Sequence, residues 1–85
     1  MREIVVKLLK KVVKDELDIE ELIEKPKDDS LGDYAFPCFA LAKFMKKNPV
    51  EIAKELASKI IKTEEIEKVQ ASGPYVNFFV SRKML

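Results

Sequence analysis

Apolar residues recur at three- and four-residue steps through most of this chain, then change to a two-residue step near its end. Ile4, Val5, Leu8, Leu9, Val12 and Val13 form one stripe at helical spacing, which predicts an amphipathic helix over residues 2–17. Lys7, Lys10, Lys11 and Lys14 fall between them; a basic amphipathic helix of this kind can touch RNA, but a solvated helix face is the expected reading. Asp18 to Glu24 predicts a short strand around Glu21 to Glu24 that stops before Pro26. The polar segment Lys25 to Gly32 carries Pro and Gly and reads as loop.

Gly32-Asp33-Tyr34-Ala35-Phe36-Pro37 leads into a second helix expected over 37–47, with Pro37 in its first turn. Phe36, Phe39, Ala40, Phe44 and Met45 give it apolar bulk, and Lys43, Lys46 and Lys47 complement the dipole at its end. Asn48-Pro49-Val50-Glu51 is a start signal, with Asn48 as N-cap and Pro49 as the first helical residue. The third helix runs to about Ile61, with its core stripe at Ile52, Ala53, Leu56, Ala57 and Ile60.

The two-residue step then takes over. Ile66 to Ala71 and Tyr75 to Val80 read as strands joined through Ser72-Gly73-Pro74. In the second strand Val76, Phe78 and Val80 share one face, and Tyr75, Asn77 and Phe79 share the other. Val69 and Ala71 belong with the apolar face, and Lys68 and Gln70 with the face of Tyr75 and Asn77. The whole predicts an α+β domain of three helices packed on a small, mostly antiparallel β-sheet. Ser81 reads as the N-cap of a helix barely begun by Leu85. Residues 1–80 are therefore expected to be a domain, and 81–85 the start of a helix leading into the next domain of a longer protein.

Length and composition narrow the function. An 85-residue chain makes one small domain, which buries about 60% of its unfolded surface. Apolar residues are 47% and charged residues 36%, with a formal net charge of +1; this mix is globular. A domain living on phosphate contacts alone is more basic, so any nucleic-acid contact is expected to be local and auxiliary. There is one cysteine, Cys38, and no histidine, which excludes an internal disulfide and a His/Cys metal site. Cys38, beside phenylalanines, is expected to be packed and inert. Asp28, Asp29 and Asp33 lack the ligand series of a calcium loop and read as a solvated acidic loop. No apolar run reaches the length of a membrane span, and a cytosolic protein is the default.

Catalysis finds little here: no histidine base, no Gly-rich phosphate loop, no G-x-S-x-G elbow. Recognition of a splayed RNA base stays open. It needs an aromatic plane, an amide to read a base edge and nearby positive charge. Tyr75 supplies the plane and Asn77 the amide, with Lys68 and Gln70 alongside. Pattern alone leaves two accounts of that face, a base platform and a cross-strand packing patch.

Three stretches, Gly32-Asp33-Tyr34-Ala35, Lys47-Asn48-Pro49-Val50-Glu51-Ile52-Ala53 and Gly73-Pro74-Tyr75-Val76-Asn77-Phe78, together resemble the N-terminal additional domain of arginyl-tRNA synthetases. The form Gly-Asp-Tyr-Ala-Phe-Pro is most similar to archaeal-type members. The resemblance implies a parent class I synthetase that attaches arginine to its tRNA with ATP and Mg, with its catalytic domain downstream. It implies that the present domain has no cofactor of its own and grips the outer corner of tRNA(Arg) at the D-loop. Tyr75 then matches the aromatic that stacks on an exposed D-loop base, and Asn77 the amide that reads its edge. Ser72 falls where some relatives carry Asn before Gly-Pro, and Gly73 and Pro74 match the turn that presents the pair. For Asp33 and Tyr34 a structural role in closing the loop onto the sheet is expected. The implied partners are the tRNA D-loop and the catalytic domain of the same chain, with no membrane, as a monomer. The alternative reading is a protein–protein docking domain that would use the helix at 2–17.

Overall fold

The computed structural model describes residues 2–13 and 18–81. Helix α1 spans Arg2–Val12 and buries Val5, Val6, Leu8 and Leu9, the stripe its spacing predicts. The end of the expected helix, residues 14–17, lies outside the described residues. Val13 comes after α1 with its N–H on the Leu9 carbonyl at 2.7 Å.

The expected strand at Glu21 to Glu24 is instead a one-turn helix, α2, Ile19–Leu22. Asp18 caps it, its carboxylate accepting from the Glu21 N–H at 3.3 Å. Ile19 and Ile23 are both buried, a four-residue spacing that a helical turn brings to one side. The side chain of Arg2 donates to the carbonyl of Glu20 and ties α1 to this turn. Of that stretch Glu24 alone pairs with a strand, in an isolated bridge to Ala35 with both N–H···O bonds at 2.8 Å.

After a 3-10 turn at Asp29–Leu31 comes a strand that the pattern does not predict, β1, Tyr34–Pro37. Pro37 is therefore the last residue of a strand, not part of a first helical turn. Proline lacks a ladder N–H and is tolerated at a sheet edge, and β1 is an edge of the sheet, whose order is β1-β3-β2. Helix α3 starts later than expected and is shorter, Phe39–Met45, with Lys46 closing it in the left-handed conformation at φ 53°. Helix α4, Pro49–Lys59, begins as predicted: the Asn48 side chain accepts from the Val50 N–H at 2.8 Å.

Strands β2, Ile66–Ser72, and β3, Tyr75–Val80, form the expected hairpin. All pairings are antiparallel. Val69 sits opposite Phe78 and Ala71 opposite Val76, while Gln70 faces Asn77 and Ser72 faces Tyr75. The register shifts between Ile66 and Lys68, a bulge that kinks the start of β2. The class is α+β as expected, but with four α-helices rather than three among the described residues. Helix α4 packs across β2 and β3, and α3 packs on α4. Phe36, Phe78, Leu9, Leu41, Ile52 and Ile66 are the largest wholly enclosed side chains, so the core lies between the helices and the inner face of β3. Ser81 is buried, its N–H on the Glu65 carbonyl at 2.7 Å. The helix expected beyond it falls at 82–85, outside the described residues.

Candidate nucleic-acid interface

The outer face of β3 is not open. The segment after α2 folds over it and leaves a cleft of about 360 Å³ lined by Glu24, Lys25, Pro26, Lys27 and Leu31 on one side and Ala35, Ser72, Tyr75 and Asn77 on the other. That volume is at the small end of ligand pockets. The Glu24–Ala35 bridge brings the segment to the sheet, and Gly32-Asp33 latches it down. The Asp33 N–H donates to the Phe78 carbonyl at 2.8 Å, and its carboxylate accepts from the Val80 N–H at 2.8 Å. Gly32 has φ +99°, and a Cβ there would stand 2.8 Å from the Phe78 oxygen, so no side chain fits this approach. The expected loop-closing role of Asp33 thus has a concrete form. Asp28 has a separate local job: its carboxylate accepts from the Ser30 N–H at 2.9 Å and the Ser30 hydroxyl at 2.8 Å, and the backbone bond, with the hydroxyl second, holds its pKa below the usual value.

Asn77 corrects one expectation. Alternation along the strand puts it on an outer face, yet it is only 4% exposed. Its side chain forms no hydrogen bond among the described residues, and no fully buried side-chain N or O there lacks a partner. Its amide therefore keeps an edge open to the cleft, enclosed by protein but free to pair. Tyr75 is half-buried, and its ring meets Phe39 edge to face at 6.1 Å and 86°. Pairing of Pro37 with Tyr75 and the Cys38 N–H on the Pro74 carbonyl at 2.9 Å hold the start of α3 against the start of β3.

The structure brings Tyr75, Asn77 and Ser72 together on one wall. Gly73 forms the hairpin turn at φ 56°, with open space around it. Gln70 and Lys68 are exposed and are not on the cleft wall. Lys68 instead lies over the Phe79 ring at 5.2 Å. The positive charge at the cleft comes from Lys25 and Lys27, which sequence alone leaves in a featureless loop. Lys25 also sits 5.9 Å from the centre of the Tyr34 ring. No local signal marks these lysines as wall residues, because they reach the sheet through the Glu24–Ala35 pairing and the Asp33 latch. Cys38 is buried, and desolvation pushes its thiol up to about 11, which makes it unreactive as expected.

A small α+β module with an aromatic–amide cleft on its sheet, and no group of three metal-binding side chains among the described residues, is the class that fold and site define. The chain belongs to the arginyl tRNA synthetase N terminal domain family, whose model matches residues 1–80. It is 58% identical over 65 residues to an arginine–tRNA ligase of Lactobacillus delbrueckii subsp. bulgaricus, covering 76% of this chain and 11% of that protein. To the arginine–tRNA ligase of Clostridium perfringens it is 51% identical over 82 residues, covering 95% of this chain and 14% of the relative. Among solved structures, Thermus thermophilus arginyl-tRNA synthetase superposes with a TM-score of 0.75 at 32% identity, covering 98% of this chain and 14% of that one. The chain thus spans about one seventh of the length of such relatives. These relatives are bacterial and lend no support to the archaeal-type affinity expected from Gly32 to Pro37.

Proposed function

We propose that this domain recognises the outer corner of tRNA(Arg), holding an exposed D-loop base in the cleft on β3, as the accessory part of an arginine–tRNA ligase. The cleft itself carries the reading: it gathers the Tyr75 ring and the unpaired, enclosed amide of Asn77 at one point. A base stacked on Tyr75 would present its edge to Asn77, with Ser72 at the rim and Lys25 and Lys27 near the backbone phosphate. An enclosed amide discriminates well, since a base that cannot pair with it leaves a polar group buried and unsatisfied. Gly73 acts by shaping the turn. Lys68, off the cleft wall, would add positive charge to the general field, and Gln70, opposite Asn77 in the sheet, would flank the amide from the neighbouring strand.

Arginylation of the tRNA with ATP and Mg belongs, in this reading, to a catalytic domain of the same chain, in the cytoplasm, and the protein works as a monomer. No helix among the described residues is long and apolar enough to cross a membrane. One stacked base and one amide contact give the domain weak affinity alone, because stacking is worth about 1–3 kcal/mol per base. Tethering to a body with its own tRNA contacts raises the effective concentration, which suits a domain of net charge +1.

The test is tRNA(Arg) affinity and aminoacylation in the full-length protein. Tyr75→Ala is expected to weaken tRNA binding about 5- to 150-fold while ATP and arginine affinities hold. Asn77→Ala is expected to cost affinity only for tRNAs carrying the preferred D-loop base. An unchanged tRNA affinity in Tyr75→Ala, or equal losses across all D-loop variants in Asn77→Ala, would sink the base site.

A further inference from the structure

We infer that the exposed face of α3 is a second RNA contact, taking the nucleotide next along the strand from the base in the cleft; this rests on the reading of that cleft as a base site. Phe39 is 53% exposed and Phe44 is 63% exposed, although phenylalanine is among the residue types most often buried. Phe39 is not on the cleft wall, yet its ring touches that of Tyr75, so the aromatic surface runs on from the cleft to the helix without a break. Lys43 lies one turn after Phe39, on the same side of α3. From Tyr34 to Val50 the sequence holds Lys43, Lys46 and Lys47 and no Asp or Glu. That is a local cationic island in a chain whose formal net charge is only +1.

The three lysines are not equivalent. Lys47 is engaged with Glu55, Nζ to Oε1 at 3.2 Å. Lys43 and Lys46 form no ion pair among the described residues, and both are exposed. Lys46 also occupies the left-handed position that closes α3, where glycine would fit with less strain. An exposed ring, that of Phe39, with the unpaired cation of Lys43 one turn on and Lys46 at the helix end is what single-stranded RNA requires: a plane for a base and charge for its phosphate. Charge complementarity and the contact with Tyr75 favour RNA here over a protein occupant, which would leave Lys43 and Lys46 to be matched by acids.

The experiment measures binding of a tRNA(Arg) transcript to the full-length protein across a salt series. Lys43→Gln with Lys46→Gln is expected to flatten the slope of log K against log salt by about 1.4, at about 0.7 per phosphate contact on a single strand. Phe39→Leu keeps apolar bulk beside Tyr75 but removes the plane. It is expected to lower affinity about five-fold or more with the slope unchanged. Tyr75→Ala in the same series reports on the cleft separately. If Tyr75→Ala weakens binding while the α3 variants match wild type, the helix contact is overturned and the cleft stands. A silent Tyr75→Ala overturns the cleft and with it the adjacency claimed for α3. Unchanged tRNA binding with an altered oligomeric state in the α3 variants assigns that face to a second copy and overturns the proposal.

Discussion

On its inner face β3 carries Val76 and Phe78, wholly enclosed against α4 and the rest of the core. On its outer face Tyr75 is half-buried and Asn77 is enclosed by a loop rather than by a core. The inner face is ordinary close packing, where apolar atoms fill the space and every methylene is felt. The outer face is covered by the Glu24–Leu31 segment but not filled by it, and the residue at its centre is an amide. Enclosure alone therefore does not separate core from site. What separates them is whether the enclosed group has its chemistry satisfied from within the chain.

Truncation gives the sharpest contrast between the faces. Phe78→Ala on the inner face is expected to destabilise the domain by about 3–5 kcal/mol, a large share of the total for a domain this small, read as a drop in denaturant midpoint. A loss under about 1 kcal/mol would mean that the inner face is not the core. The latch comes next. Gly32→Ala places a methyl group 2.8 Å from the Phe78 carbonyl at φ +99° and is expected to cost about 1–3 kcal/mol. In the full-length protein it should also weaken tRNA binding, because the moved segment is one wall of the cleft. Stability lost with tRNA affinity intact would show that the loop wall does not matter to recognition. The smallest effect concerns Cys38. With its thiol pushed up to about 11 by burial, it stays un-ionised near neutral pH and should resist alkylation until the domain is unfolded. Rapid labelling of the native protein near neutral pH would show that the junction between β1 and α3 opens readily.

The hairpin and α4 are legible in the sequence because their signals are local: a two-residue apolar step around Ser72-Gly73-Pro74, and an Asn-Pro start before a helical stripe. Strand β1 is not, since Tyr34 to Pro37 shows no alternation, ends in proline, and owes its existence to a strand far along the chain. The one-turn helix α2 reads as strand because so short a stretch lets neither period declare itself. Within the site the same division holds. Tyr75 and Asn77 stand out by residue type and spacing, and the family likeness singles them out. Lys25, Lys27 and Leu31 do not, because only the Glu24 bridge and the Asp33 latch turn that segment into a wall. For Lys68 alternation gives the right face but not the distance along it, and Gln70, although opposite Asn77, is exposed on the neighbouring strand and not part of the cleft lining.

Gly32 and Asp33 have a further consequence for the order in which the molecule assembles. Strands β2 and β3 are neighbours in sequence and can zip together at once, whereas Tyr34 meets Phe78 from half a chain away. Closing that distance costs loop entropy before any contact repays it. The hairpin with its apolar face is the natural early structure, and the latch on Phe78 and Val80 is a late one. The face that reads as a ligand site is then the last part of the sheet to be completed and the first to open in native-state fluctuations. A bound base would act as the final staple on the fold, coupling occupancy of the cleft to protection of the backbone amides of Asp33 and Val80.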